Sequence, residues 1–295
     1  MGVPRRQKRL SGRYAKVDGI GYKMPVNSWE ASSLIAVFPC DFAAAQALLP
    51  EGDVHPLRLW RNALLVVTII DYRQTDIGKY IEYSLAVACT KGARPAPRLL
   101  PALFMKWFGT GQFVIDLPVS SEVSVKGGKG IWGMPKHQAN LDYREGRRWI
   151  SAQYDEDGEL VTRIDVRRPG GMALPLGMGA RNYCRFRGMI FRSYIYFKGK
   201  ARVGLGRGKA RLILGNSPRA DWLRALKVGA DPIMTAYIPA LEGVLDDYTE
   251  SWFTTSPTPL AATPGEGLET TFPLGYAEEW LPPPARDPAF DLDKD

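Results

Sequence analysis

Short runs of β-branched and aromatic residues, broken by Gly, Pro and Asp, recur through the middle of this chain. Residues 34–38, 63–72, 80–89 and 112–117 have the length and composition of strands. Residues 148–154 and 160–166 flank Glu156-Asp157-Gly158, a hairpin signal, and 193–197 and 210–214 add two more strands. Helical periodicity is rarer. Residues 41–49 begin at Asp41, suited to an N-cap, and stop at Pro50. Residues 101–108 align Leu100, Leu103, Phe104, Trp107 and Phe108 on one face, with Pro101 in the first turn. Core packing is the expected use of that stripe; a pocket lid or an oligomer contact are the others. Residues 217–227 start with Ser217-Pro218 and align Trp222, Leu223 and Leu226. Many strands with few helices predict a β-rich α+β domain of antiparallel strands. Gly204-Leu205-Gly206-Arg207-Gly208 lacks the spacing of a dinucleotide loop and reads as a turn between strands.

The apolar share of 45% is ordinary for a chain with a sizeable core. The longest apolar run, 63–70, is strand-sized, well short of the ~18 residues a membrane-crossing helix needs. No membrane span or membrane partner is expected. Cys40, Cys89 and Cys184 are odd in number and lack metal-ligand spacing, so a reduced, cytoplasmic setting is the default. His55 and His137 are too few for a His-based metal site, and no metal or cofactor is expected.

The net charge of +8 is unevenly spread. Residues 181–228 carry thirteen Lys and Arg against one acid, whereas 242–295 carry twelve acids against two bases. Mutual neutralisation of these regions weakens any nucleic-acid reading, and no aromatic stacking pattern supports one, so nucleic acid is not expected as a partner. Residues 1–20 read as a basic N-terminal arm. Residues 246–295, with eight of the 23 prolines, read as an acidic, Pro-rich extension. The single domain is expected at 21–245.

The most informative stretch is Gly130-Ile131-Trp132-Gly133-Met134-Pro135-Lys136-His137. Lys136 follows a proline among small and apolar residues, and Trp132 and Met134 make its approach poor in water. A lysine amine attacks carbonyl carbon only when neutral, although its reference pKa is about 10.4; apolar burial or a neighbouring cation supplies the change. The plainer alternative is a solvated lysine at a turn.

Leu117-Pro118-Val119-Ser120-Ser121-Glu122 followed by Gly128-Lys129-Gly130-Ile131-Trp132-Gly133-Met134-Pro135-Lys136 resembles the acetoacetate decarboxylase-like superfamily, in its divergent branch with a Trp-Gly-x-Pro-Lys motif. The resemblance spans roughly residues 20–245 and implies a closed or strongly bent barrel with an oligomeric habit. It places Lys136 at that family's Schiff-base lysine, a standard case of a lysine activated by its surroundings. Tyr80-Ile81-Glu82 resembles the family's Tyr-x-Glu, which implies that Glu82 lines the pocket. The segment from Gly208 to Leu212, leading to Ser217 and Leu226, resembles the family's C-terminal strand and helix. Three departures stand out. His137 replaces a second lysine. Asn27-Ser28-Trp29-Glu30-Ala31 lacks the arginine that meets the substrate carboxylate. A second pocket glutamate falls near Val67.

The resemblance therefore implies a lyase that forms an imine between Lys136 and a keto or aldehyde substrate, in decarboxylase or aldolase-dehydratase type chemistry, with acetoacetate itself a poor candidate. Glu82 would move protons. Tyr80, two positions earlier on the same strand face, would hydrogen-bond the substrate. Trp132 and Met134 would line the approach. His137, adjacent to Lys136, would point the other way along a regular strand, with a share in binding or acid–base work as the alternative. A non-catalytic barrel holding an apolar metabolite, and a basic scaffold for an acidic partner, are the competing readings. The basic residues Arg185, Arg187, Arg207, Lys209 and Arg211 suggest a solvated strand face.

Overall fold

The computed structural model describes residues 12–254. The strands in chain order are β1 (Arg13–Val17), β2 (Ile20–Met24), β3 (Val26–Cys40), β4 (Val54–Pro56), β5 (Ala63–Thr75), β6 (Tyr80–Lys91), β7 (Gly111–Val119) and β8 (Lys136–Gln138). They continue with β9 (Asn140–Glu145), β10 (Trp149–Glu156), β11 (Glu159–Arg167), β12 (Leu174–Phe186), β13 (Met189–Leu205), β14 (Ala210–Leu214) and β15 (Met234–Phe253). The helices are α1 (Phe42–Leu48), α2 (Leu100–Leu103), α3 (Glu122–Trp132) and α4 (Asp221–Ala225), the last entered through a 3-10 turn at Pro218–Ala220.

Seven strands close a barrel in the order β6-β5-β3-β15-β13-β12-β7, with β7 pairing back to β6. β4 extends from β6, and β8 from β7. The pairings at β7 with β12 and β8 are parallel; the others in this sheet are antiparallel. The β-rich α+β class and the closed barrel agree with the sequence reading; most pairings are antiparallel, and the parallel ones at β7 make the barrel mixed. A second sheet, β14-β11-β10-β9, packs on the barrel's outside.

Side-chain alternation decides what faces where. On β5, Leu65, Val67 and Ile69 join Phe38, Leu85, Ile150, Ile164 and Val166 in the core between the barrel and the second sheet. The alternate residues Thr68, Ile70 and Tyr72 face a cavity inside the barrel. β6 is buried along nearly its whole length because it has protein on both faces. A β-bulge resets the phase on β7: Leu85 pairs with Asp116, but Ala86 pairs with Val114. The extra residue puts Ile115 and Asp116 on the outside and leaves Gln112, Val114 and Leu117 facing in.

The Asp157-Gly158 turn has positive φ at both residues, 52° and 82°, as the hairpin signal required. Asp41 caps α1 as predicted, accepting from the Ala44 N–H at 2.8 Å. Gly206 and Gly208 form the expected turn between β13 and β14. The helix predicted over 101–108 is a single turn: Leu99 offers no capping side chain, and the Thr110 N–H closes onto the Met105 carbonyl instead of continuing it. Its apolar stripe is not core. Leu103 is 76% exposed and Trp107 85%. Residues 13–24, which straddle the edge of the expected arm, form the β1–β2 hairpin. The rest of that arm and the extension beyond Thr254 lie outside the described residues.

Candidate active site

Lys136 opens β8 and is 3% exposed. Its Nζ donates to Glu82 Oε2 at 2.7 Å and to Ser124 Oγ at 3.0 Å, and lies 5.5 Å from the centre of the Tyr80 ring. Three elements therefore meet at one amine: β6 brings Tyr80 and Glu82, α3 brings Ser124, and β8 brings the lysine. Tyr80 stacks on Tyr72 with ring centres 4.6 Å apart. Burial, and then the Glu82 charge, push the Tyr80 phenol well above its ordinary pKa, so it stays protonated and able to donate.

α3 is the element the sequence pattern did not announce. It contains Gly127, Gly128 and Gly130, each costing about 1 kcal/mol relative to alanine in a helix. Close packing offsets that cost. A Cβ on Gly128 would sit 2.3 Å from Lys136 Cδ, so the lysine side chain runs through the space a larger residue would fill. Gly127 and Gly130 press likewise on Tyr22 and Val17. Ser121 caps the helix, accepting from the Ser124 N–H at 3.3 Å, and Gly133 ends it in the left-handed conformation at φ 61°. That serine cap and glycine stop, twelve residues apart, were the available signals.

The amine faces a cavity of about 150 Å3. Ile35, Ile70, Val114, Leu117, Met134, Ile195, Phe197 and Ile238 make most of its wall apolar. Polar groups enter at Ser33, Thr68 and Ser84, and at Gln112 and Asn182, whose amides are joined by a 2.8 Å hydrogen bond. A smaller void of about 30 Å3 lies on the lysine's other side, lined by Ser28, Ser124, Gly127 and Trp132 among others. Its volume is about one water's share of the liquid, and the Ser28 hydroxyl has no partner among the described residues.

Of the residues singled out in the sequence, Lys136, Glu82, Tyr80 and Met134 line the larger cavity together. Trp132 borders the smaller void, its indole N–H donating to the Asp246 carbonyl. His137 lines neither. Its Nε2 is 2.9 Å from Tyr154 Oη, and its Nδ1 is 3.4 Å from Asp116 Oδ1, outside the barrel wall. Burial, and then the Arg219 charge, lower the His137 pKa to about 4, so the ring is neutral at pH 7 and its acidic contacts are polar contacts, not ion pairs. Burial raises Asp116 to about 6, against the opposing pull of Arg219. The residues that pattern reading missed are Ser124, Gln112 and Asn182, polar positions in segments without a chemical motif.

A sequence profile described as Acetoacetate decarboxylase (ADC) matches residues 13–175, which is 163 of the 295 residues. The chain belongs to the acetoacetate decarboxylase family. No curated protein matches it. Among solved structures, the acetoacetate decarboxylase of Legionella pneumophila subsp. pneumophila str. Philadelphia 1 is similar at TM-score 0.57 and 14% identity, over 77% of this chain and 88% of that one. The enduracididine biosynthesis enzyme MppR, complexed with the condensation product of pyruvate and imidazole 4-carboxaldehyde, is similar at TM-score 0.52 and 13% identity, over 78% and 88%. An acetoacetate decarboxylase-like enzyme from Sphingomonas wittichii RW1 is similar at TM-score 0.50 and 17% identity, over 81% and 98%. At such identities the shared feature is the fold. Within the family's architecture, the segment Asn27–Ala31 brings no arginine to the site, and Val67 is fully buried on the outer face of β5.

Proposed function

We propose that this protein is a lyase that forms an imine between Lys136 and an uncharged, largely apolar ketone or aldehyde. The observation that carries this reading is the buried contact of Lys136 Nζ with Glu82 and Ser124 at the wall of an apolar cavity. Glu82, 2.7 Å away, accepts a proton from the ammonium. The freed amine adds to the carbonyl carbon. Glu82 returns the proton to the departing hydroxyl, so one water leaves and an iminium remains. The iminium then takes up the electron pair of a broken bond, whether the fragment lost is a proton or an aldehyde. The phenol of Tyr80 donates to the substrate oxygen, and the 30 Å3 void is sized to hold the water that later hydrolyses the imine.

Size and polarity narrow the substrate. A cavity near 150 Å3 is the size of one that holds benzene when apolar. Lys136 is the single cation among the described residues of its wall, and it is committed to bond formation. This supports a substrate without a carboxylate to be read, and argues against acetoacetate.

Borohydride trapping tests the reading. Incubation with small aromatic and aliphatic ketones and aldehydes, followed by reduction, is expected to give an adduct that maps to Lys136 and is absent in Lys136→Met. If that variant folds poorly because Glu82 is left unpaired, the Lys136→Met/Glu82→Gln pair removes the stranded charge. Failure of every compound to label Lys136, with unchanged ligand binding in the variant, would favour a barrel that binds an apolar metabolite without chemistry.

A further inference from the structure

The segment between β6 and β7 exposes six large apolar residues within nine positions. Leu99, Leu100, Leu103, Phe104, Met105 and Trp107 range from 38% to 85% exposed. A slack loop would not need explanation, but this one is tied down. Pro101 is buried and its carbonyl accepts from Thr110 Oγ1 at 2.8 Å; the Thr110 N–H donates to the Met105 carbonyl at 2.8 Å. Tyr183 Oη donates to the Gly109 carbonyl at 2.6 Å, and the Lys91 N–H to the Phe108 carbonyl at 2.9 Å. Leu99 is held at φ 66°, a conformation that a leucine rarely adopts. The backbone is anchored while the apolar side chains point outward. An apolar patch of this kind marks a contact surface.

Charge identifies the partner. Residues 91–110 contain four cations and no acid. Lys91 is engaged by Glu250, but Arg94, Arg98 and Lys106 are exposed and make no ion pair among the described residues. A contact between copies here would bury these three cations and would need acidic side chains from the other copy to meet them. An exposed run of Leu, Phe and Trp flanked by cations suits a deformable surface carrying negative charge, with rings at headgroup depth and cations among phosphates. We propose that the 99–107 segment docks this protein on an anionic lipid bilayer surface. This departs from the expectation of no membrane partner; it is a contact with the surface and needs no span. The segment leads directly into Gln112 on the cavity wall, so apolar compounds dissolved in lipid would meet the protein there.

The test is flotation of the full chain with vesicles of phosphatidylcholine alone or mixed with phosphatidylglycerol. Binding is expected to the mixed vesicles, weakening as salt is raised. The triple variant Leu103→Ser/Phe104→Ser/Trp107→Ser should bind about a hundredfold more weakly with an unchanged melting temperature, since these side chains are already exposed. Arg94→Gln/Arg98→Gln/Lys106→Gln should reduce binding to the mixed vesicles, and Arg185→Gln/Arg207→Gln, elsewhere on the surface, should leave it unchanged. Three results would overturn the proposal: no binding by the parent chain, equal binding by parent and triple variant, or a parent oligomer that the triple variant dissolves without any vesicle binding. Vesicle binding does not depend on Lys136, so this test and the trapping test fail independently.

Discussion

Lys136 and His137 are neighbours in the chain and occupy opposite sides of the barrel wall. Inside, Lys136 meets Glu82 and Ser124 beside an apolar cavity. Outside, His137 meets Tyr154 and Asp116, with Glu156 and Arg219 nearby, at the edge of an open cleft. Both clusters are buried or half-buried and both hold titratable groups. The difference lies in what each can offer a ligand. The inner group is an amine with a carboxylate in contact and an apolar cavity in front of it. The outer group binds its members to one another and to the second sheet. Burial of a charged residue is therefore insufficient evidence of chemistry; an amine in contact with a proton acceptor at the wall of an apolar cavity makes the distinction.

Lys136→Met, which lacks the amine, is expected to abolish the proposed reaction altogether in the trapping assay, and the remaining tests grade the contrast. Glu82→Gln keeps the size of the side chain but removes its capacity to take a proton. The conversion rate is expected to fall by about 10^2–10^4-fold, while slow trapping at Lys136 persists. An unchanged rate would move proton transfer to another group. Gly128→Ala places a methyl where Lys136 Cδ lies, so trapping is expected to slow by about a hundredfold, because a lysine displaced by about 1 Å is misaligned. Normal trapping in that variant would show that the lysine has another route into the cavity.

The smallest effect belongs outside the wall. Asp116 in the folded chain titrates near 6 against an ordinary 3.8, so its stabilising contribution is complete below that ordinary value and is lost as pH rises through about 6. His137, lowered from 6.5 to about 4, contributes above 6.5 and loses that contribution as pH falls through about 4. Between these limits the two oppose each other. Asp116→Asn removes one of them, so the variant should gain up to about 3 kcal/mol relative to the parent as pH rises from 3.8 to about 6. Thermal melts below 3.8 and above 6 measure it, and a parallel pH response in both proteins would sink the assignment. Trapping at Lys136 in Asp116→Asn should stay within about twofold of the parent, consistent with a site that acts only through packing.

Strand identity was legible because β5, β6 and β7 carry dense β-branched and aromatic runs. On β6 alternation placed Tyr80 and Glu82 on one face, whereas the continuous apolar run of β5 gave no phase. β7 could not be phased, because the bulge at Leu85/Ala86 is a property of the pairing and has no glycine or proline to mark it. β12 and β15 lack a strand-like run because glycines and acids interrupt them, yet both are wall strands flanked on each side. α3 was hidden by its three glycines, which helix propensity penalises and close packing on Tyr22, Lys136 and Val17 rewards. The 101–108 stripe failed in the opposite sense: it has the period of a buried helix but meets no surface that covers it. At the site, the Pro-Lys and Tyr-x-Glu motifs led to Lys136, Glu82 and Tyr80. Ser124, Gln112 and Asn182 have no local signature, since three-dimensional closure alone brings them to the cavity.

The bulge on β7 acts as a reading-frame marker for the barrel wall. With it, Leu117 faces the ligand space and Asp116 faces the second sheet. Deleting Ile115 would bring Val114 next to Asp116 and remove the extra residue. The strand on one side of the deletion would then be thrown out of phase with its partners, and an acidic side chain would exchange places with an aliphatic one. Relatives of this chain that differ by one residue between Gln112 and Leu117 should therefore differ in ligand polarity more than relatives with several substitutions at constant length.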